Sequence, residues 1–342
     1  MKFGIFDHMD RGAAALGEQY ESRLKLVEAY ERSGFYAYHI AEHHATPLGM
    51  APSPSVFLSA VAQRTKRLRF GPLVYTLPMY HPLRLAEEIC MLDHLSGGRL
   101  QVGIGRGISP HELAHYGVVP AEAQARYLEA FAVLTQALTG KTVTFEGKFY
   151  TFRDVPMEMA PVQRPHPPLW YGVGNVEAVK WTAQNAVNVV TNVPAGRAKE
   201  IVARYRAEWA AAGNDAGTMP LVGMNRHVVI AATDEEALTI ARRAYRQWHA
   251  SFFKLWERHG TRPTYALYPA TFDELENMGL GVAGTAEKVR DVLVAQAAEA
   301  GVNYLVCRLA FGDLTLAESM RSLEFYAGVV MPAVAGMREA AE

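Results

Sequence analysis

Half of the 342 residues are hydrophobic, ample for a full core, and the length suits one large α/β barrel or two ordinary domains; with no linker or internal repeat, residues 1–342 read as a single domain. Lys plus Arg number 34 and Asp plus Glu 35, so no basic excess points to nucleic acid and no polybasic run to a membrane surface. The apolar runs are too short to span a bilayer, Asp7 interrupts the amino-terminal stretch before a signal-peptide core forms, and Cys90 and Cys307 sit among apolar neighbours, the pattern expected of a cytoplasmic protein with buried thiols.

In chain order, residues 2–6 read as a short strand and 20–33 as an amphipathic helix closed by Gly34. A second strand, 36–41, ends at Glu42-His43-His44. Residues 53–64 form a helix rich in small residues, opened by Ser53 with Pro54 in its first turn. A third strand covers 68–76. The chain is organised around residues 81–107. There Leu85, Ile89, Leu92 and Leu95 recur at helical spacing after a first-turn Pro82, and Gly97-Gly98 supplies a stop. Leu100, Val102 and Ile104 then make a short strand that delivers Arg106 to its carboxyl end. Gly103, Gly105 and Gly107 interleave with them and open the backbone to close approach by a ligand.

Residues 121–138 are helical, and 142–152 alternate about Glu146-Gly147 as a surface hairpin. A Pro-rich connection, 156–168, leads to a strand at 169–173, a helix at 176–185, a strand at 187–191, a helix at 199–212, a strand at 221–232 and a long helix at 234–257. Residues 258–284 have no clear period and read as a lid. A helix at 286–300, a strand at 304–308 and a helix at 316–330 complete the chain. Eight buried strands, most followed by a helix, imply a (β/α)₈ TIM barrel with its active site at the carboxyl ends of the strands.

Three short motifs carry little. Gly103-Ile104-Gly105-Arg106-Gly107 fails as a dinucleotide fingerprint because Ile108 stands at the third glycine position, and Gly140-Lys141-Thr142 fails as a P-loop because Thr135 stands at the first. His111-Glu112-Leu113-Ala114-His115 matches H-E-x-x-H, but Gly117 cuts the segment short and no third ligand follows; it reads as a chance match on a solvated helical turn.

The strand ends collect chemistry. His43 ends the second strand beside Glu42, a carboxylate able to raise its basicity. Phe6, Asp7, His8, Tyr75, Asn192, Arg308 and Phe311 fall near other strand ends and are candidates for a substrate pocket. Asn225-Arg226-His227 is a polar run inside a strand. Gly174-Asn175 ends the fifth strand and opens a helix, where bare amides bind phosphate well.

MKFGIF, Ala41-Glu42-His43-His44, the Leu77-Pro78…His81-Pro82 step, residues 81–107 and MRSLEFYAGVVMPAV, in that order, resemble the bacterial luciferase-like flavin-dependent monooxygenases over nearly the whole chain. The resemblance implies a luciferase-like barrel and assigns His43 the catalytic role, with His44 towards a subunit contact. It places a non-proline cis peptide, Leu73–Val74, against the flavin ring, and the FMN phosphate on Arg106, Gly174 and Asn175. The family's acid, serine and threonine in the phosphate turn are here Gly174, Asn175 and Ala178, and its reactive cysteine is Gly105. The implied activity is oxygenation of a small organic substrate by reduced FMN and O₂ through a flavin hydroperoxide. The reduced FMN would come from a separate flavin reductase, since no nicotinamide fingerprint is present. The implied assembly is a homodimer through the helices at 53–64 and 81–95. A deazaflavin-dependent hydride-transfer enzyme on the same scaffold and a non-catalytic luciferase-like subunit are the alternatives; a zinc hydrolase is a remote third.

Overall fold

The computed structural model describes residues 1–263 and 268–336. The strands are β1 (Lys2–Asp7), β2 (Ala37–Ile40), β3 (Arg69–Pro72), β4 (Tyr75–Thr76), β5 (Val102–Gly105), β6 (Thr142–Glu146), β7 (Thr151–Pro156), β8 (Leu169–Gly172), β9 (Asn188–Thr191), β10 (Val222–Ile230), β11 (Gly281–Gly284) and β12 (Tyr304–Arg308). The helices are α1 (Leu16–Arg32), α2 (Pro54–Arg64), α3 (Pro82–Ser96), α4 (Pro110–His115), α5 (Ala123–Thr139), α6 (Val179–Gln184), α7 (Ala195–Ala211), α8 (Asp234–Arg258), α9 (Phe272–Asn277), α10 (Ala286–Ala300), α11 (Leu316–Phe325) and α12 (Met331–Gly336). A π-helical segment, Tyr326–Val330, joins the last two.

One parallel sheet runs in the order β3-β2-β1-β12-β10-β9-β8-β5-β4. β3 and β4 are two pieces of a single strand interrupted at the cis peptide Leu73–Val74, so the sheet has the eight positions of a TIM barrel. A parallel bridge between Phe70 and Leu100 brings its two ends together. Helices cover the outside, and their apolar faces share one continuous core with the strands. Two glycines make the closure possible. A Cβ on Gly71 would strike the Gln101 carbonyl, and one on Gly103 would strike the Pro72 carbonyl. The glycines of this region therefore admit a neighbouring strand, rather than the ligand the sequence suggested.

Local signals explain the helix limits. α3 begins at Pro82 and ends at Gly97, which has φ 64°. α10 is capped by Thr285, whose side chain accepts from the Lys288 amide, and ends at Gly301 with φ 66°. α8 opens on Thr233 with Asp234, Glu235 and Glu236 in its first turn, where acids suit the helix dipole.

The structure departs from the sequence reading in three places. The hairpin pairs β6 with β7 and runs on to Pro156, into the segment expected as a connection. α6 begins at Val179 because Asn175 caps the Ala178 amide and holds residues 174–178 as a turn. The expected lid is partly regular structure. Thr271 and Glu274 form a capping box that starts α9, and Gly281–Gly284 forms β11, which extends the sheet alongside β10 from His227 to Ile230. The apolar alternation of β11 is hidden among glycines. Residues 264–267 of the expected lid lie outside the described residues. Both cysteines are free and buried, as expected, and burial pushes the Cys90 thiol up to about 11.

Candidate active site

The carboxyl ends of the strands carry a connected group of buried polar side chains. β2 ends at Ile40, and the next four residues turn over the barrel rim with Glu42, His43 and His44 all buried. Both histidines bond to Glu112, but only His43 does so through its ring. His43 Nδ1 lies 3.1 Å from Glu112 Oε1, and the His44 amide donates to Glu112 Oε2 at 3.0 Å. Glu112 sits on α4, whose N-cap Ser109 accepts from the Glu112 amide. A carboxylate accepts hydrogen bonds only, so it holds His43 with the proton on Nδ1 and leaves the Nε2 lone pair for chemistry. His43 Nε2 bonds to none of the described residues.

Glu42 does something else. Its carboxylate accepts from the His44 ring at 2.8 Å, the Tyr80 hydroxyl at 2.8 Å and the Thr76 amide at 3.2 Å. The second His44 nitrogen meets the Tyr116 hydroxyl at 2.8 Å. Glu42 therefore clamps His44, the end of β4 at Thr76 and Tyr80 beyond it. It is not the partner of His43, because a side chain one residue away on an extended rim faces the other way. The sequence missed Glu112 for the converse reason: its motif was judged by spacing alone, and the helical turn it occupies is packed against the rim instead of solvated. His111 meanwhile stacks on His259 with ring centroids 4.2 Å apart, away from Glu112's partners. Among the described residues no cluster of histidine, cysteine and acid side chains could hold a metal ion.

Deeper in the mouth, His8 follows β1. Its ring lies 5.5 Å from that of His43 and 4.9 Å from Phe6, and its Nδ1 accepts from Trp248 Nε1 at 3.2 Å. Burial, then the nearby Arg308 guanidinium, drives its pKa well below the usual imidazole range, which keeps it neutral. Trp248 comes from α8, whose second half leans over the mouth. Ser251 there accepts from the Thr46 hydroxyl through its carbonyl at 2.9 Å, and Phe252, Leu255 and Trp256 wall a small cavity with His43, Ile108 and Glu112. The tryptophan spacing of α8 gave no sign in sequence of this roofing role.

Other expected pocket residues divide. Asn225 and His227 on β10 point inward, while Arg226 turns out to Gln296 on α10 at 2.7 Å, with its pKa lowered to about 10 by burial. Asn192 follows β9 at the exposed rim and accepts from Asn225 Nδ2 at 2.9 Å. Phe311 packs edge-on against His227. Tyr75 does not join them: its hydroxyl meets Ser55 of α2 at 2.8 Å, in the helix layer. Asp7 likewise faces outward, paired with Arg23 at 2.8 Å and accepting from the Tyr38 hydroxyl at 2.8 Å.

The rim opposite carries the expected phosphate elements. β5 and β8 are adjacent and parallel, so Arg106 and Gly174 leave their carboxyl ends side by side. Arg106 is exposed and makes no ion pair or hydrogen bond with a described residue, and its charge reaches Tyr171 on β8. The Ala178 amide is taken by Asn175, while the amides of Gly174, Asn175, Val176 and Glu177 donate to no described residue. A Cβ at Gly172 or Gly174 would meet nothing within 4 Å, so the space before this turn is open. Leu73, buried, and Val74, partly buried, flank the cis bond between β3 and β4, and Val74 packs where Gly105 lacks a side chain.

Known proteins resemble this chain in sequence and in fold. A family model described as luciferase-like monooxygenase matches residues 1–304. An uncharacterised protein of Sinorhizobium fredii is 44% identical over 94% of this chain and 93% of its own length. The oxygenase component of flavin-dependent trigonelline monooxygenase from Acinetobacter baylyi is 28% identical over 70% of this chain and 68% of its own. The crystal structure of a monooxygenase from Streptomyces bottropensis superposes with a TM-score of 0.86 at 26% identity, covering 97% of this chain and 99% of that one. The fold is also that of the coenzyme F420-dependent tetrahydromethanopterin reductase of Methanopyrus kandleri, at a TM-score of 0.69, 21% identity and 97% and 98% coverage. With the family model covering the barrel up to the start of its last strand, and a relative alike over nearly the full length, this chain belongs to the luciferase-like monooxygenase family.

Proposed function

We propose that the protein is the oxygenase component of a two-component FMN-dependent monooxygenase, acting on a small organic substrate with O₂. The observation that carries this reading is the unpaired Arg106 guanidinium beside the free amides that follow Gly174, on adjoining strand ends. A guanidinium and a set of convergent amides suit a phosphate dianion. Reduced FMN, when bound there, supplies the electrons with which O₂ is activated. Its ring would lie towards Leu73 and Val74.

The chain's own residues supply the rest. Glu112 fixes the His43 tautomer, and His43 Nε2 takes a proton from, or returns it to, the reacting groups at the mouth. Phe252, Leu255 and Trp256 of α8 keep bulk water from that nitrogen. Reduced FMN comes from a separate flavin reductase, in line with a relative named as an oxygenase component. The working unit is a homodimer through α2 and α3, whose outer faces carry exposed Val56, Met91 and Leu95. A deazaflavin reading competes, because the same fold serves an F420-dependent enzyme. Anaerobic equilibrium dialysis against reduced FMN and against reduced F420 separates the two: retention of FMN supports the proposal, and retention of F420 alone overturns it.

A further inference from the structure

Arg308 is the last residue of β12 and is only 2% exposed. Its Nη1 lies 2.9 Å from a ring nitrogen of His227, and its guanidinium sits over the rings of Phe6 at 5.0 Å and Trp248 at 5.4 Å. Its Nε is buried without a hydrogen-bond partner, and among the described residues no carboxylate pairs with it. The acids of the neighbourhood are committed elsewhere: Asp7 to Arg23, Glu42 to His44, Glu112 to His43, and Asp10 to the Gly312 amide.

A buried cation without a counter-charge is costly, and aromatic faces offset only part of that cost. The imidazoles beside it add no negative charge. His8 and His227 are both driven well below the usual range, by burial and then by Arg308. The guanidinium is therefore a cationic centre faced by the rings of Phe6 and Trp248, while Tyr245 and Phe311 pack edge-on against His227 beside it.

Its place in the barrel separates it from the flavin phosphate turn. In the strand order β5-β8-β9-β10-β12, the strand bearing Arg308 lies four positions from the strand bearing Arg106, half-way round an eight-position barrel. The two arginines face the mouth from opposite sides, with His43 and His8 on the arc between them through β2 and β1. We propose that Arg308, aided by His227, is a specificity-determining residue that binds the carboxylate of an organic acid substrate, whose ring or chain lies against Phe6 and Trp248. The monooxygenase reading above is taken as its basis. A bidentate guanidinium–carboxylate contact would hold such an acid at one end and present the other towards His43.

The test uses benzoate and its neutral isostere benzamide as probes, titrated calorimetrically into the protein with and without reduced FMN under anaerobic conditions. Wild type should bind benzoate at least tenfold more tightly than benzamide. Arg308→Gln should erase that preference while leaving FMN affinity within about twofold, and Arg308→Lys, which keeps the charge, should retain part of it. Melting curves confirm that both variants fold; if Arg308→Gln does not, the wild-type preference and its partial retention in Arg308→Lys still decide. Equal binding of the two probes by wild type overturns the proposal, as does a preference that survives in Arg308→Gln. Loss of FMN affinity in Arg308→Gln with no benzoate preference in wild type would assign the residue to the flavin and also overturn it. Failure of wild type to bind FMN at all would instead refute the flavin reading, while the benzoate comparison on the flavin-free protein would still decide the role of Arg308.

Discussion

His43 Nδ1 lies 3.1 Å from Glu112 Oε1, sixty-nine residues away, while the adjacent Glu42 turns its carboxylate to His44. The two acids therefore have separable roles. His43→Ala should lower turnover by roughly two to four orders of magnitude with the fold and flavin affinity kept, the usual worth of a general acid–base group. Glu112→Gln should lower it less and should shift the pH profile, because an amide no longer fixes one imidazole tautomer. Glu42→Gln should leave turnover within a few-fold and instead reduce stability by about 1–3 kcal/mol, since one of the two oxygens that accept from His44, Tyr80 and Thr76 becomes an amide donor. Steady-state rates and denaturation midpoints of the three variants check this. Equal rate losses for Glu42→Gln and Glu112→Gln would contradict it.

Asp10 gives the stability a pH dependence of definite sign. It is fully buried in the turn after β1, where its carboxyl accepts the Gly312 amide. Burial pushes its pKa up to about 7, against the opposing pull of Arg23 and the amide. The native state thus keeps a proton that the unfolded chain releases near pH 4. This contribution is fully present below pH 4 and is lost as pH rises towards 7, by up to about 1.4 kcal/mol per pH unit. Asp10→Asn should abolish that slope, so its stability relative to wild type should improve between pH 5 and pH 8. Urea denaturation at both pH values checks it, and parallel pH dependences would rule it out.

Barrel closure depends on missing side chains. Gly71→Ala places a methyl group against the Gln101 carbonyl and should cost about 1–3 kcal/mol or more. Gly172→Ala, at a position with open space around its Cβ, should leave the melting temperature nearly unchanged. Similar melting temperatures for the two variants would mean that the strands do not approach as closely as described.

The proposed dimer is tested on the apolar face of α2 and α3. Leu95 and Met91 on α3 and Val56 on α2 are exposed in one copy of the chain. Wild type should scatter light with the mass of a dimer, and Leu95→Glu should shift it towards monomer, because burying an unpaired carboxylate at a subunit contact is costly. A monomeric wild type at micromolar concentration would count against the pairing.

Much of the barrel was legible in the sequence, because its signals are local. Apolar spacing, Pro82 and Gly97 set α3, and short apolar runs set the eight strand positions. His43 and Arg106 follow strand ends, as local patterning suggested, and the cis bond lies at Leu73–Val74, where the family resemblance placed it. What escaped was long-range pairing. Glu112 reaches His43 from a motif that looked accidental. Trp248 reaches His8 from the second half of a helix that the sequence marked only as long. β11 escaped because Gly281 and Gly284 dilute its apolar pattern, and the outward turn of Tyr75 escaped because the strand breaks at residues 73–74.

The central claim is that Arg106 and the turn at Gly174-Asn175 hold the phosphate of reduced FMN. The most direct measurement compares anaerobic dissociation constants of reduced FMN and reduced riboflavin for wild type and Arg106→Ala. Loss of a charge-assisted pair should cost on the order of 1.5–3 kcal/mol, or roughly tenfold to a hundredfold in affinity. The account predicts that loss for FMN, a comparable deficit for riboflavin on wild type, and little further loss for riboflavin on the variant. Equal weakening of both flavins by Arg106→Ala would contradict it.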